Sequence, residues 1–383
     1  MQELSHMDIN TPLQLLGGIS PETFMRRYWE KKPLLIRAAI PGFKPLLDRA
    51  ELIDLAAQDD VESRLVVSAQ ADKKGQWRLK HGPFARKDLP PFKQAGWTVL
   101  VQGVDLHDER VHQLMNQFRF VPDARLDDVM ISYASDTGGV GPHFDSYDVF
   151  LLQAHGRRRW RIGRQKDLSL VPDMPVKILA NFVPEQEFVL EPGDMLYLPP
   201  QWAHDGIAEG ECMTYSIGFR SPVKGEIARE LLQCLAEQAA DDVGPAIYRD
   251  PEQPAVSGSG EIPAGLLQFA KEALDAALKD PLALQRSLGE IMTEPKAHVW
   301  FHGNQELEEG VGVRLDRRTR MMYDAKHVFI NGESFRAAGS DAKRMRKLAD
   351  ERELNAAEVS KLSEPARELL LQWGEDGWLY GLV

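Results

Sequence analysis

An α+β chain built around a closed antiparallel sheet, of the jelly-roll or double-stranded β-helix kind, is the architecture the sequence predicts. Three observations predict it. From about residue 127 to 220, short apolar runs recur with Gly and Pro at their corners, the texture of antiparallel strands that close on themselves. At Ser221-Pro222 that texture gives way to helical periodicity. From about residue 296 strand and helix signals alternate again, so a chain of 383 residues is expected to divide into 1–222, 223–295 and 296–383.

The elements follow in order. Ser20-Pro21-Glu22 reads as a capped helix start running into Trp29, while Leu34-Leu35-Ile36 and Trp97–Val101 read as strands. The barrel strands are expected at Val129–Tyr133, Val149–Gln153, Arg159–Gly163, Phe188–Leu190, Met195–Leu198 and Met213–Phe219. Glu191-Pro192-Gly193-Asp194 makes a tight turn between two of them. Helical stripes then span 226–236, 266–274 and 282–291, with a polar loop at 250–260. These helices are too short to enclose a core unaided and must pack on the barrel or on another subunit. The last region offers strands at Val311–Leu315 and His327–Ile330, the latter before an Asn331-Gly332 turn, and helices near 342–348, 356–362 and 365–373.

Inside the barrel region stands a constellation with chemistry. His143 and Asp145 are two positions apart, so on a strand both side chains point to one face. His204 follows on another strand after Pro199-Pro200. Two imidazoles and one carboxylate are the ligand set of a non-haem Fe(II) centre with open coordination positions. An isolated His-x-Asp pair is more often a set of ordinary polar residues, and here the apolar run from Val149 and the glycines at 138, 139 and 141 give it a structural setting.

The motifs around this constellation resemble a known family. Gly141–Phe150, the arginine-rich Gly156–Gly163, the Glu-Pro-Gly-Asp to His204 run and Tyr215–Arg220 are similar to the JmjC branch of the cupin superfamily, and more narrowly to bacterial ribosomal oxygenases. Trp29–Leu34 and His81-Gly82-Pro83-Phe84 extend the likeness towards the N-terminus. The general cupin second motif carries Gly and Asn where this chain has Gln201 and Ala208. That departure argues against an ordinary cupin isomerase or storage protein.

The resemblance implies an Fe(II)-dependent oxygenase that uses 2-oxoglutarate and O2 to hydroxylate a basic large-subunit ribosomal protein, on the β-carbon of an arginine. It also implies that 223–295 is a homodimerisation module and that 296–383 is winged-helix-like. The distal carboxylate of 2-oxoglutarate then needs an inward cation. Alternation along Arg157–Ile162 puts Arg158 with Trp160 and Ile162, and Arg157, Arg159 and Arg161 on the other face. Arg158, suited to a bidentate carboxylate grip, is therefore the candidate, and it stands where the family has its basic residue. Thr214 and Ser216 share a strand face and could donate to the same carboxylate. Tyr133 and Tyr147 could line the substrate channel, and Asp136, Asp148 and Asp205 could receive a guanidinium, although each could equally be core or support.

Composition sets bounds on partners. With 46 Lys and Arg against 58 Asp and Glu, the net charge of −12 disfavours general nucleic-acid affinity and suits a basic protein partner. Residues 301–383 carry 13 basic and 15 acidic side chains, so direct DNA binding is not expected of a winged-helix-like region. No run approaches the roughly 18 apolar residues of a membrane span, and Met1–His6 lacks the basic start of a secretory signal. A cytoplasmic location is expected. Cys212 and Cys234 cannot form a disulfide framework and read as small hydrophobes. A cupin metalloenzyme acting on a small molecule would lack a use for an inward Arg158 opposite the metal, and a non-catalytic ribosome- or DNA-binding module would bury three iron ligands without metal at a desolvation cost.

Overall fold

The computed structural model describes residues 8–72, 75–303, 307–308 and 310–382, so the N-terminal stretch read for a signal lies outside the described residues. The chain divides into two compact units, one of residues up to Ser221 with Ala297–Trp300, the other of Pro222–Lys296 with Phe301 onward. Among the described residues no helix is long and apolar enough to cross a membrane.

The first unit runs α1 (Pro21–Arg27), β1 (Leu34–Ile36), α2 (Arg49–Ala56), β2 (Ser63–Val67), β3 (Arg78–His81), β4 (Trp97–Val101) and α3 (Glu109–Asn116). It continues with β5 (Leu126–Ala134), β6 (Val149–Gly163), β7 (Gln186–Leu190), β8 (Met195–Leu198) and β9 (Ala203–Phe219). Helix α1 starts as expected, with Ser20 accepting the Thr23 N–H and Pro21 in the first turn. The strands form one antiparallel sheet in the order β1-β8-β6-β9-β5-β4-β2-β3, with β7 also on β6. The two longest strands, β6 and β9, organise it. The first half of β6 carries β8 and its second half carries β7, while β9 runs beside both halves.

This corrects the sequence reading in one respect. Val149–Gln153 and Arg159–Gly163 are halves of a single strand, joined through Gly156. At φ +62°, Gly156 adopts a left-handed conformation, and a β-carbon there would stand 2.1 Å from the Glu211 carbonyl oxygen. Only glycine lets the strand bend without breaking.

The core explains why these residues make these strands. Residues of β5 and β9 such as Val129, Ile131, Tyr215 and Ile217 bury one face in a large apolar cluster with Phe24, Trp97, Phe118 and Phe150. A smaller cluster of Val149, Leu151, Trp160, Ile162, Leu196 and Leu198 lies on the other side of β6 and β8. Full burial of one such side chain is worth roughly 1.5–3 kcal/mol. Cys212 packs with Ala134 and Ala208, as a small hydrophobe would.

The second unit holds α4 (Lys224–Val243), α5 (Ala264–Ala277), α6 (Ala283–Thr293), β10 (Gly312–Leu315), β11 (Met321–Tyr323), β12 (His327–Ile330) and β13 (Glu333–Arg336). Next come α7 (Gly339–Glu351), β14 (Glu353–Leu354), α8 (Ala356–Val359), α9 (Glu364–Glu375) and β15 (Leu379–Leu382). Two three-stranded sheets, β14-β10-β15 and β11-β12-β13, share a core with α7 and α9 that includes Val313, Ile330, Leu348, Leu370 and Trp373. Helix α6 joins this core region: Gly289 has no room for a side chain against the Phe329 ring, and Glu290 accepts from Ser334. Helices α4 and α5 bury no residue completely. The basic run Lys343–Lys347 is largely occupied inside its own unit. Lys347 pairs with Glu351 and Glu358, and Arg346 stacks over Tyr323 while bonding two carbonyls.

Candidate metal and cosubstrate site

The site is assembled where the turn before β6 meets the start of β9. His143 and His204 exchange backbone hydrogen bonds as an isolated antiparallel bridge, His143 N–H to the His204 carbonyl at 3.0 Å and the reverse at 2.8 Å. Only His143 of the expected His-x-Asp strand is paired in this way; Asp145 lies in the loop beyond it, its carbonyl accepting the Gln201 N–H at 2.8 Å. The two-residue spacing still brings both side chains to one side. One ligand atom from each of His143, Asp145 and His204 lies within 4.8 Å of the other two, and His204 Nε2 stands 3.6 Å from Asp145 Oδ2.

Second contacts set which nitrogen is presented. His143 Nδ1 lies 2.9 Å from the Gly141 carbonyl and His204 Nδ1 lies 3.0 Å from the Trp202 carbonyl. A carbonyl can only accept, so each Nδ1 carries the hydrogen and each Nε2 keeps its lone pair for a metal. Burial pushes the His204 imidazole down to about 4, with His143 lowering it further and Asp145 opposing. At neutral pH His204 is therefore an uncharged ligand. The donor set, two neutral imidazoles and one carboxylate on one side, fits a divalent ion of the ferrous kind with positions left open.

Gln201 explains one departure from the cupin motif. It holds φ +64°, the left-handed region that favours glycine, so the general motif's Gly fills a position that here carries strain of about 1 kcal/mol. Its N–H is the group that fixes the Asp145 carbonyl.

A cavity of about 480 Å3 opens from the triad and is lined by His143, Asp145, His204, Arg158, Trp160 and Ser216 among others. Arg158 pairs across the sheet with Ala208, Trp160 with Gly206 and Ile162 with His204, so the inward face of β6 leads from the guanidinium to the metal ligands. Arg158 is 5% exposed. Its Nη1 donates to Ser132 Oγ at 3.3 Å, and its Nε and Nη2 find no acceptor among the described residues. A buried guanidinium lacking a carboxylate is costly unless something else supplies one. The outward neighbours differ: Arg157, Arg159 and Arg161 pair with Glu209, with Glu187 and Glu209, and with Asp205.

The other expected residues divide. Ser216 lines the cavity. Thr214 does not: its hydroxyl donates to Gln153 Oε1 at 3.1 Å, and Ser132, one strand over on β5, stands beside Arg158 instead. Tyr147, 40% exposed, lines the cavity, whereas Tyr133 is core, its hydroxyl donating to Glu211. Asp205 and Asp148 are committed to Arg161 and to Tyr197 with Arg125, and Asp136 accepts the Gly210 N–H. Besides the ligand Asp145, Asp127 and Asp128 line the cavity, and period-2 reading of β5 does not single them out.

Comparison with known proteins follows the same lines. The JmjC domain family matches residues 113–227 and the ROXA-like winged helix family matches 276–380. The chain is 30% identical to a probable ribosomal oxygenase of Haemophilus influenzae, with 99% of each covered. It is 34% identical to the ribosomal protein uL16 3-hydroxylase of Escherichia coli, over 71% of each. The X-ray structure of E. coli YcfD superposes with a TM-score of 0.78 at 27% identity, covering 94% of this chain and 98% of that one. The YcfD ribosomal oxygenase in complex with cobalt and 2-oxoglutarate matches at 0.74 and 28%, with the same coverage.

Proposed function

The chain belongs to the ribosomal oxygenase family, and from that premise we propose that it is an Fe(II)- and 2-oxoglutarate-dependent hydroxylase of a large-subunit ribosomal protein, acting on the β-carbon of an arginine. The observation that carries the reading is Arg158, a buried guanidinium with two donor nitrogens that find no acceptor among the described residues, in the cavity that holds the triad. Iron and 2-oxoglutarate, when bound, supply the oxidising chemistry, in which O2, the 2-oxo acid and a C–H bond become succinate, CO2 and C–OH.

The chain's own residues have three tasks. His143, Asp145 and His204 would hold the metal, their Nδ1 contacts fixing both rings. Arg158 would grip the distal carboxylate of 2-oxoglutarate, with Ser132 orienting one guanidinium nitrogen and Ser216 beside it. Asp127 and Asp128 would receive the substrate's cationic side chain, which favours arginine over a neutral residue. A cupin enzyme working without 2-oxoglutarate has no use for Arg158 there. Replacing His143, Asp145 or His204 by Ala should remove bound iron and succinate formation together while the melting temperature stays near wild type. Normal turnover in any two of the three variants would sink the assignment.

The helices within 223–295 are proposed as the homodimer contact, because Leu232, Leu267 and Leu274 on α4 and α5 are each more than 60% exposed and these helices bury nothing completely. Residues 296–383 are proposed as the winged-helix-like part of a cytoplasmic enzyme. Charge placed at Leu267 and Leu274 should give a monomer in sedimentation; an unmodified chain already monomeric at micromolar concentration would end the dimer proposal.

A further inference from the structure

Strand β5 departs from regular pairing at one point. Leu126 pairs with Phe219 and Val129 with Ile217, which leaves Asp127 and Asp128 opposite Gly218 alone. Two residues facing one is a β-bulge. Its effect is seen in the faces: Leu126, Val129 and Ile131 belong to the apolar core, whereas Asp127, Asp128, Met130 and Ser132 line the cavity. Unbroken alternation would turn one of two successive carboxylates away. The bulge gives the cavity both.

A bulge also takes backbone groups out of the ladder, and here a side chain meets the need. The N–H of fully buried Val129 donates to Asp105 Oδ1 at 2.7 Å. Asp105 is itself 1% exposed and sits in the short 3-10 turn Val104–Leu106, entered through Gly103 at φ +63°. A buried amide donor without a partner is strongly disfavoured, so this carboxylate stabilises the bulged register over a regular one.

We propose that Asp105 is a positioning residue for substrate selection: by accepting the Val129 N–H it holds the bulge that directs Asp127 and Asp128 together into the cavity, where they select a cationic side chain. This rests on the functional reading above. The pair has polar and charged neighbours. Asp127 accepts from Arg220 at 3.3 Å, and Asp128 accepts from the Gln102 amide, whose oxygen accepts from Arg64 at 3.1 Å. Lys177 and Arg64 also line the cavity. The pair therefore acts through its position beside the triad rather than through a large net field.

The test compares two peptides from the ribosomal substrate, one with the target arginine and one with citrulline, its neutral isostere. The wild-type enzyme is expected to prefer arginine at least tenfold in kcat/KM. Asp105→Ala should cut that preference to threefold or less through KM, with the affinity of the cobalt-loaded enzyme for 2-oxoglutarate changed less than twofold. Asp105→Asn, which keeps an oxygen for the Val129 N–H, should retain the preference. If Asp127→Asn/Asp128→Asn loses the preference while Asp105→Ala keeps it, Asp105 does not position the pair and this inference is overturned. If Asp127→Asn/Asp128→Asn keeps the preference, the cationic-substrate reading itself fails. Should Asp105→Ala not fold, amide exchange at Val129 decides in the wild-type enzyme: slow exchange supports the bond, and exchange as fast as an exposed loop refutes it.

Discussion

Alternate arginines of one strand meet opposite fates. On the outward face of β6, Arg157, Arg159 and Arg161 each find a carboxylate on a neighbouring strand. On the inward face, directly between Arg157 and Arg159, Arg158 finds a serine hydroxyl, and two of its donor nitrogens meet no acceptor among the described residues. Both faces carry the same chemistry in the sequence, so the difference lies in what each is for. The outward pairs complete themselves; the inward guanidinium is complete only with a ligand.

Removing Arg158 should therefore have the largest effect. Truncating one partner of a buried, charge-assisted contact costs on the order of 2–5 kcal/mol, tens- to thousands-fold in affinity. Arg158→Ala is expected to weaken 2-oxoglutarate binding by that range in calorimetry on the metal-loaded enzyme, with metal affinity nearly unchanged. Equal weakening by Arg157→Ala would erase the distinction between the faces.

How much of this was legible beforehand depends on periodicity. Arg158 is legible as an inward residue because period-2 alternation holds along 158–162, and His143 and Asp145 as a pair because their spacing is local, with His204 marked by the turn residues before it. Thr214 shares a face with Ser216, yet its hydroxyl donates to Gln153 outside the cavity's lining, and no pattern in the sequence says where a cavity ends. Asp127 and Asp128 were missed because a bulge breaks the very alternation used to find inward residues. The sequence shows two apolar runs where the structure has the one strand β6, because Gly156 bends the strand between them without ending it. Local signals carried the elements; long-range pairing decided where they end.

A second buried charge sharpens the comparison from the other end of β6. Asp148, immediately before the strand, is fully buried, accepts from Tyr197 and lies 3.4 Å from Arg125. Unlike Arg158 it has an oppositely charged partner in the protein, yet burial still raises its carboxyl to about 6, the Tyr197 bond and Arg125 opposing only in part. With a folded-state value above the unfolded one of roughly 3.9, the native state holds a proton that the unfolded chain has released between about pH 4 and 6. The stability contribution of this group is thus most favourable below pH 4 and falls as pH rises to 6. Asp148→Asn, which keeps an acceptor for Tyr197, lacks that dependence. Relative to wild type its stability should rise by up to about 3 kcal/mol across that window and stay level above it. Parallel denaturation curves for the two proteins from pH 4 to 7 would show that partners, not burial, govern this carboxylate.

The smallest effect belongs to the outward face, at Arg157. Its guanidinium is more than half exposed and lies 3.3 Å from Glu209, which keeps Arg159 when Arg157 is removed. Exposed pairs of this kind contribute about 0.2–1 kcal/mol, and salt screens them. Arg157→Ala should lower the melting temperature by no more than a few degrees at low ionic strength, and the difference should shrink further near 1 M salt, where the Debye length is about 3 Å. Binding of 2-oxoglutarate should not change, since the side chain points away from the cavity. A salt-independent loss, or any loss of cosubstrate affinity, would mean that the outward arginines support the inward one through the strand, and the two faces of β6 would have to be treated as one electrostatic unit.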